Sequence, residues 1–144
     1  MREAIAAIRA DVERLYVCTA KPTHFARPVL EHFGLADAFD GIFGAELDGR
    51  FDDKGELIGH MVETLGLEPA TTVMIGDRAS DGIAAAKNGM AAIAVAWGYG
   101  PAEELSHVSF RTVCHAPSDL PAASGKVLGS RGVSFRGRAA QAKP

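Results

Sequence analysis

The sequence predicts an α/β fold, a doubly wound parallel sheet with helices on both faces. Three observations carry that prediction. Short apolar runs of strand length alternate with stretches whose apolar residues recur every three or four positions. Glycine follows three of the helical stretches, at Gly34, Gly66 and Gly89. One apolar run, Thr72–Ile75, stops at Gly76-Asp77 and is followed by a second carboxylate, Asp81. Charge placed just beyond a strand that is apolar on both faces is the pattern of a parallel sheet with its ligands at the carboxyl ends of its strands. A chain of 144 residues is most simply one domain, long enough to bury a core without staples.

Taken in order, Arg2–Glu13 reads as a helix, with Ile5, Ile8 and Val12 on one face. Leu15–Thr19 is a strand, apolar until its last residue, and Lys21-Pro22 is expected to break it. Thr23 is placed to cap a helix running to about Phe33, with Phe25, Val29, Leu30 and Phe33 inward. Phe39–Ala45 is a second strand, and Glu46–Asp53 a polar loop. Lys54–Leu65 is a helix with Leu57, Ile58, Met61 and Leu65 inside, stopped by Gly66. After the Thr72–Ile75 strand comes a helix over Ser80–Asn88, then a fourth strand, Ala91–Ala96. Glu103–Leu105 is one helical turn, Phe110–Cys114 an edge strand and Ser118–Ala122 a short helix.

Composition narrows the function classes. The longest apolar run, Met90–Trp97, is far too short to span a bilayer, and the first residues lack a secretory layout. Cys18 and Cys114 make no disulfide framework and fall in strands, so both are expected as small buried hydrophobes in a reducing cytoplasm. Residues 1–123 hold all 18 acids and 10 of the 15 lysines and arginines, a net of −8. Residues 124–144 hold the other five bases and no acid, a net of +5. The chain therefore divides into a core, 1–123, and a basic tail, 124–144, expected to be disordered. Five scattered bases without interleaved aromatics do not make a nucleic-acid site.

The acid pair admits two readings. Asp77 and Asp81 suit a helix N-cap and a helix-dipole acid; they equally suit a hard cation such as Mg²⁺. The other strand ends bear on the choice. In a parallel sheet Thr19, at the first strand end, and Lys54, opening the helix after the second strand, share a rim with both aspartates. A hydroxyl, a lysine and two acids are the equipment of phosphoryl transfer. Lys21 is the alternative cation. Arg78 is expected at the surface, and none of the five histidines is spaced as a metal ligand.

Three segments in the right order resemble the haloacid dehalogenase superfamily, within it the phosphoglycolate phosphatase-like branch. Leu15-Tyr-Val-Cys-Thr-Ala-Lys-Pro22 resembles its second motif, Asp48–Ile58 its third-motif region, and Met74-Ile-Gly-Asp-Arg-Ala-Ser-Asp81 its fourth. Trp97-Gly-Tyr-Gly100 fits the same branch. The resemblance covers residues 2–123. It implies a Mg²⁺-dependent hydrolase of small phosphomonoesters. Thr19 and Lys54 would bind the phosphate, Asp77 would ligate the metal, and Asp81 would support it.

The same resemblance exposes a gap. The family's first motif is an apolar strand ending in Asp-x-Asp, whose first Asp attacks phosphorus while the second acts as acid and base. No Asp-x-Asp occurs here; Asp40, Asp48, Asp52 and Asp53 belong to a different strand or its loop, and the cap domain is missing. The fold expected is thus Rossmannoid, minus its first central strand, between those ending in Thr19 and Asp77. Those two edges are expected to close on each other or to pair with another chain as an oligomer. The expected function is a truncated hydrolase, inactive alone. The alternative is a non-enzymatic module that keeps the phosphate and metal cradle. With no cap the substrate is not legible beyond a small phosphorylated metabolite.

Overall fold

The computed structural model describes residues 1–129 and the backbone of 142–143. Its elements alternate as expected: α1 (Arg2–Asp11), β1 (Tyr16–Pro22), α2 (Thr23–His32), β2 (Gly41–Ala45), α3 (Lys54–Leu65), β3 (Val73–Gly76) and α4 (Ala79–Lys87). Then come β4 (Ala91–Val95), α5 (Ala102–Ser106), β5 (Thr112–Cys114), α6 (Leu120–Gly129) and β6 (Ala142–Lys143). All described strand pairings are parallel. They form two sheets, one of β1 and β2, the other in the order β5-β4-β3-β6.

Strand alternation sends side chains to two layers. Val73 and Ile75 of β3 join Ile93 and Val95 of β4 under Ile5 and Ile8 of α1 and Val127 and Leu128 of α6. Met74, on the opposite face, joins Tyr16 and Cys18 of β1 under Leu57, Ile58 and Met61 of α3 and Ala84 and Ala85 of α4. Both cysteines are buried as expected, and burial pushes the Cys114 thiol pKa up. Among the described residues, no helix is long and apolar enough to cross a membrane.

Four expectations need correction. First, the inward face of α2 is not the one its apolar spacing marks. Phe25, Val29 and Phe33 are 53%, 46% and 57% exposed; of the expected inward set Leu30 alone packs inward, beside the buried Ala26, which lies against Val17 and Ile42. The small side chain lets the helix lie close on β1 and β2, which turns the large ones outward. Second, Lys21-Pro22 does not end β1. The strand runs through to Pro22 with a register irregularity between Cys18 and Pro22, which spares Pro22 a ladder bond it cannot donate. Third, the tail does not begin at Ser124. Helix α6 continues to Gly129 with Ser124, Val127 and Leu128 buried, because Val127 and Leu128 supply an apolar face that the basic composition hides. Residues 130–141 and 144 of the expected tail lie outside the described residues. Fourth, of the two outcomes expected for the edges of β1 and β3, closure on each other is not the one adopted. The inner edge of β3 instead takes up β6, with Val73 opposite Ala142 and Met74 opposite Lys143.

Asp40 fastens the start of this arrangement. Its Oδ2 accepts from the Leu15 amide at 2.8 Å and from Arg9 at 2.6 Å, and its own amide donates to the Leu15 carbonyl at 2.7 Å. Burial raises the Asp40 pKa, but the Leu15 N–H and the Arg9 guanidinium outweigh it, and the net shift is downward. A lowered pKa means the contribution to stability is complete above about pH 4 and fades as pH falls through the folded-state value. Asp40→Ala is expected to destabilise the chain by about 1–2 kcal/mol, mainly through the orphaned Leu15 amide, since the ion pair is a third exposed. Urea unfolding at pH 7 and pH 3 checks it: the difference from wild type should shrink at the lower pH.

Candidate active site at the carboxyl ends of the strands

Asp81 sits in the first turn of α4, only 2% exposed. Two features of the chain hold it there. Gly76 ends β3 without a side chain; a Cβ at that position would lie 2.0 Å from Asp81 Oδ2. That oxygen accepts from the Arg78 amide at 3.1 Å, satisfying a donor at the start of α4. The other oxygen, Oδ1, accepts from Lys54 Nζ at 2.5 Å. Lys54 is the first residue of α3, and its position is fixed by Asp53, whose carboxylate accepts from the Glu56 amide at 3.0 Å. The N-cap of one helix thus sets the cation that neutralises the first turn of the next.

Asp77 is held from the opposite side. Its Oδ2 accepts from the Tyr99 amide at 2.8 Å. Gly98 and Gly100 flank Tyr99, and each is required by contact: a Cβ on Gly98 would fall 2.4 Å from Asp77 Oδ2, and one on Gly100 would overlap the Asp77 carbonyl. Thr19 lies in the irregular stretch of β1, and its Oγ1 accepts from the Lys21 amide at 3.1 Å. Thr19, Lys54, Asp77 and Asp81 all line one cavity of about 340 Å³ between β1 and β3. Its remaining walls are largely apolar, among them Ile5, Val17, Leu35 and Ile75. Lys21 is exposed and lies outside that lining.

One group that the sequence did not point to supports the rim. Glu104 on α5 accepts from Ala79 N at 2.8 Å and from Arg78 Nε at 3.0 Å, which tethers Arg78 and caps α4. The Arg78 hydrogen bond lowers the Glu104 pKa, with help from the Ala79 amide. Nothing local marks Glu104, 26 residues downstream of Arg78. Gly98 and Gly100 were within reach of sequence reasoning, as two glycines bracketing one residue just after a strand.

The metal expectation meets a mixed result. Two carboxylates are the right chemistry for Mg²⁺. Yet both oxygens of Asp81 are engaged by Lys54 and the Arg78 amide, and among the described residues no group of three His, Cys, Asp or Glu is placed to hold a metal. The residues present do not by themselves make up a Mg²⁺ site.

The Lys54–Asp81 pair is the element of the rim whose removal has the clearest cost. The side chains are 15% and 3% exposed. Lys54→Met leaves a buried carboxylate without its cation and is expected to destabilise by about 3 kcal/mol. The double variant Lys54→Met/Asp81→Asn should recover part of that loss, because the stranded charge goes with it. Urea midpoints of the two variants check this, and equal midpoints would show that the pair is not coupled.

Comparison with known proteins agrees with this geometry. Residues 1–89 match the family model described as "haloacid dehalogenase-like hydrolase". A 5'-nucleotidase of Pseudomonas aeruginosa is 42% identical over 103 residues, 72% of this chain and 47% of that protein. The tyrosine-protein kinase PtkA of Mycobacterium tuberculosis is 38% identical over 78% of this chain and 38% of its own length. A phosphoglycolate phosphatase of Chromobacterium violaceum is 34% identical over 73% of this chain and 47% of its own. Among solved structures, that of a "predicted phosphatase" from Clostridium acetobutylicum superposes with a TM-score of 0.71 at 39% identity, over 74% of this chain and 50% of that one. The chain spans about half the length of the curated relatives it matches, or less. With most of its length covered by the family model and its strand-end residues gathered on one cavity, this chain belongs to the haloacid dehalogenase-like hydrolases.

Proposed function

We propose that this chain is the C-terminal portion of a Mg²⁺-dependent hydrolase of small phosphomonoesters, phosphoglycolate-like or nucleotide-like, and that it is inactive alone. The observation that carries this reading is the meeting of Thr19, Lys54, Asp77 and Asp81 on one cavity, although they come from three separate segments. Each has a part to play around a phosphate. The Thr19 hydroxyl donates to a phosphate oxygen, and Lys54 neutralises charge as a point cation. Asp77 would be this chain's share of the metal ligands, with Asp81, whose oxygens Lys54 and the Arg78 amide engage, supporting it; the rest of the set would come from outside the described residues. Among the described residues, nothing around the cavity is placed as a nucleophile with its own acid or base, which is the ground for expecting no turnover.

Relatives named as a nucleotidase, a kinase and a phosphatase each match about three quarters of this chain. That supports assigning this half to handling the phosphoryl group, and the choice of its donor or acceptor to the other half. The cytoplasm is the setting proposed, on the two buried cysteines that form no disulfide.

Two assays test the reading. Purified 1–144 with Mg²⁺ is expected to release no phosphate above buffer from p-nitrophenyl phosphate, phosphoglycolate or a nucleoside 5'-monophosphate. Hydrolysis that disappears in Asp77→Asn would overturn the inactivity. Calorimetry then separates the hydrolase fragment from a non-enzymatic binding module. Titration with Mg²⁺ and inorganic phosphate together should give no saturable heat for the fragment, whereas a module that keeps its ligand would bind both.

A further inference from the structure

Away from the rim, the edge strand β5 and helix α6 enclose a second cavity, of about 460 Å³. Arg111 and Thr112 line it from the strand side, and Ala122, Ala123 and Lys126 from the helix. Strand β5 stands at one end of the order β5-β4-β3-β6 and pairs with β4 through Thr112, Val113 and Cys114. Alternation along β5 turns Cys114, and with it Thr112, towards the layer that α6 covers. Val113 points to the other face and is 39% exposed.

Charge distinguishes this cavity. Residues 1–123 carry a net of −8, yet no acid lines the cavity and its two charged residues are cations. Arg111 and Lys126 are both exposed, and among the described residues neither is paired with a carboxylate. Bases at a sheet edge ordinarily ward off other strands. Here they also define which strand they admit. Ala122 and Ala123 keep their flank of α6 low, which leaves room for a backbone beside β5. In an extended segment seated there, one set of side chains faces Lys126 and Arg111 and the other lies beside Val113.

The candidates for that place differ in charge. A second copy, paired through its own β5, would bring its Arg111 and Lys126 against the same cations. The chain's own residues 130–144 carry four bases and no acid. A small anion would meet only exposed polar groups, Arg111, Thr112 and Lys126, which do not take it out of water. An acidic segment meets charge, apolar surface and the strand edge together. We propose that the groove between β5 and α6 is a docking site for an extended acidic peptide of a partner protein, added as a strand to the outer edge of β5 with alternate carboxylates facing Arg111 and Lys126. This site is independent of the phosphoryl chemistry, and no activity assay enters its test.

The probe is a fluorescein-labelled peptide, Gly-Ser-Glu-Val-Glu-Val-Glu-amide, titrated into full-length 1–144 in low-salt buffer and followed by anisotropy. Saturable binding is expected, about tenfold weaker for the same peptide with glutamine in place of glutamate. Arg111→Glu/Lys126→Glu, which changes only exposed side chains, should lose the acidic peptide and take up a version with lysine in place of glutamate. Hydrogen exchange of the 112–114 amides should slow at saturation, and N-methylation of alternate peptide amides should weaken binding about tenfold. No saturable binding, equal binding of the glutamate and glutamine peptides, or unchanged affinity in the charge-reversed variant overturns the proposal. Displacement by millimolar inorganic phosphate at constant ionic strength also overturns it, since the two cations would then be a small-anion site. Equal binding of the N-methylated peptide, or unchanged exchange at 112–114, sinks strand addition and the proposal with it. Protection of 112–114 in a sedimenting dimer before peptide is added would mean that a second copy holds the edge instead.

Discussion

The carboxylate of Asp81, charged and almost wholly buried, is the constraint on which the carboxyl rim depends. A buried charge persists only when it is paired and hydrogen-bonded. Meeting that requirement fixes three separate segments. Position 76 has to be glycine, because any side chain there would enter the Asp81 carboxyl group. The start of α4 has to turn so that the Arg78 amide points back at Oδ2. Helix α3 has to begin at Lys54, since only its first turn brings a lysine within 2.5 Å of Oδ1. Asn88 holds the same two helices together at the other end of α4, donating to the carbonyls of Gly55 and Ala84. The placement of α3 against α4 follows from the charge as much as from Leu57, Ile58 and Met61 beneath.

The second constraint is the division of the strands. A parallel sheet is stable when both faces are covered and every inner strand is paired on both edges. Here the faces are covered, by α3 and α4 on one side and by α1 and α6 on the other. The helices bridge the two sheets: Tyr16 and Cys18 of one and Met74 of the other share one apolar layer under α3 and α4. Among the described residues, side-chain packing beneath α3 and α4 joins the two sheets across the cavity.

Much of this was legible in the sequence, for identifiable reasons. The bounds of α3 agree residue for residue because its signals are local: a capping aspartate, a clean three-and-four spacing, and Gly66 in the left-handed conformation at its end. The meeting of Thr19, Lys54, Asp77 and Asp81 was legible because strand ends in a parallel sheet share a rim. The inward face of α2 was not. Its apolar spacing marks a stripe, but the helix packs by Ala26, and no periodicity tells a stripe that meets the sheet from one that meets something else. Helix α6 was hidden by composition, since glycine, serine and lysine mask the buried Val127 and Leu128. Glu104 and the bulged course of β1 were beyond reach because both depend on contacts distant in sequence or on strand register.

Charge explains why half a rim of this kind would be inert toward an anion. Of the four residues gathered on the cavity, one is cationic and two are anionic. Lys54 is already held by Asp81, so its charge answers a carboxylate before it can answer a phosphate. Residues 1–123 carry a net of −8 besides. At about 5 Å and an effective dielectric of about 20, each pair of unit charges is worth about 3 kcal/mol. A phosphate dianion entering beside Asp77 and Asp81 therefore meets repulsion that one committed lysine does not offset. Donation from Thr19, a neutral hydroxyl, adds only about 1 kcal/mol in return. Further positive charge has to arrive with the anion or before it.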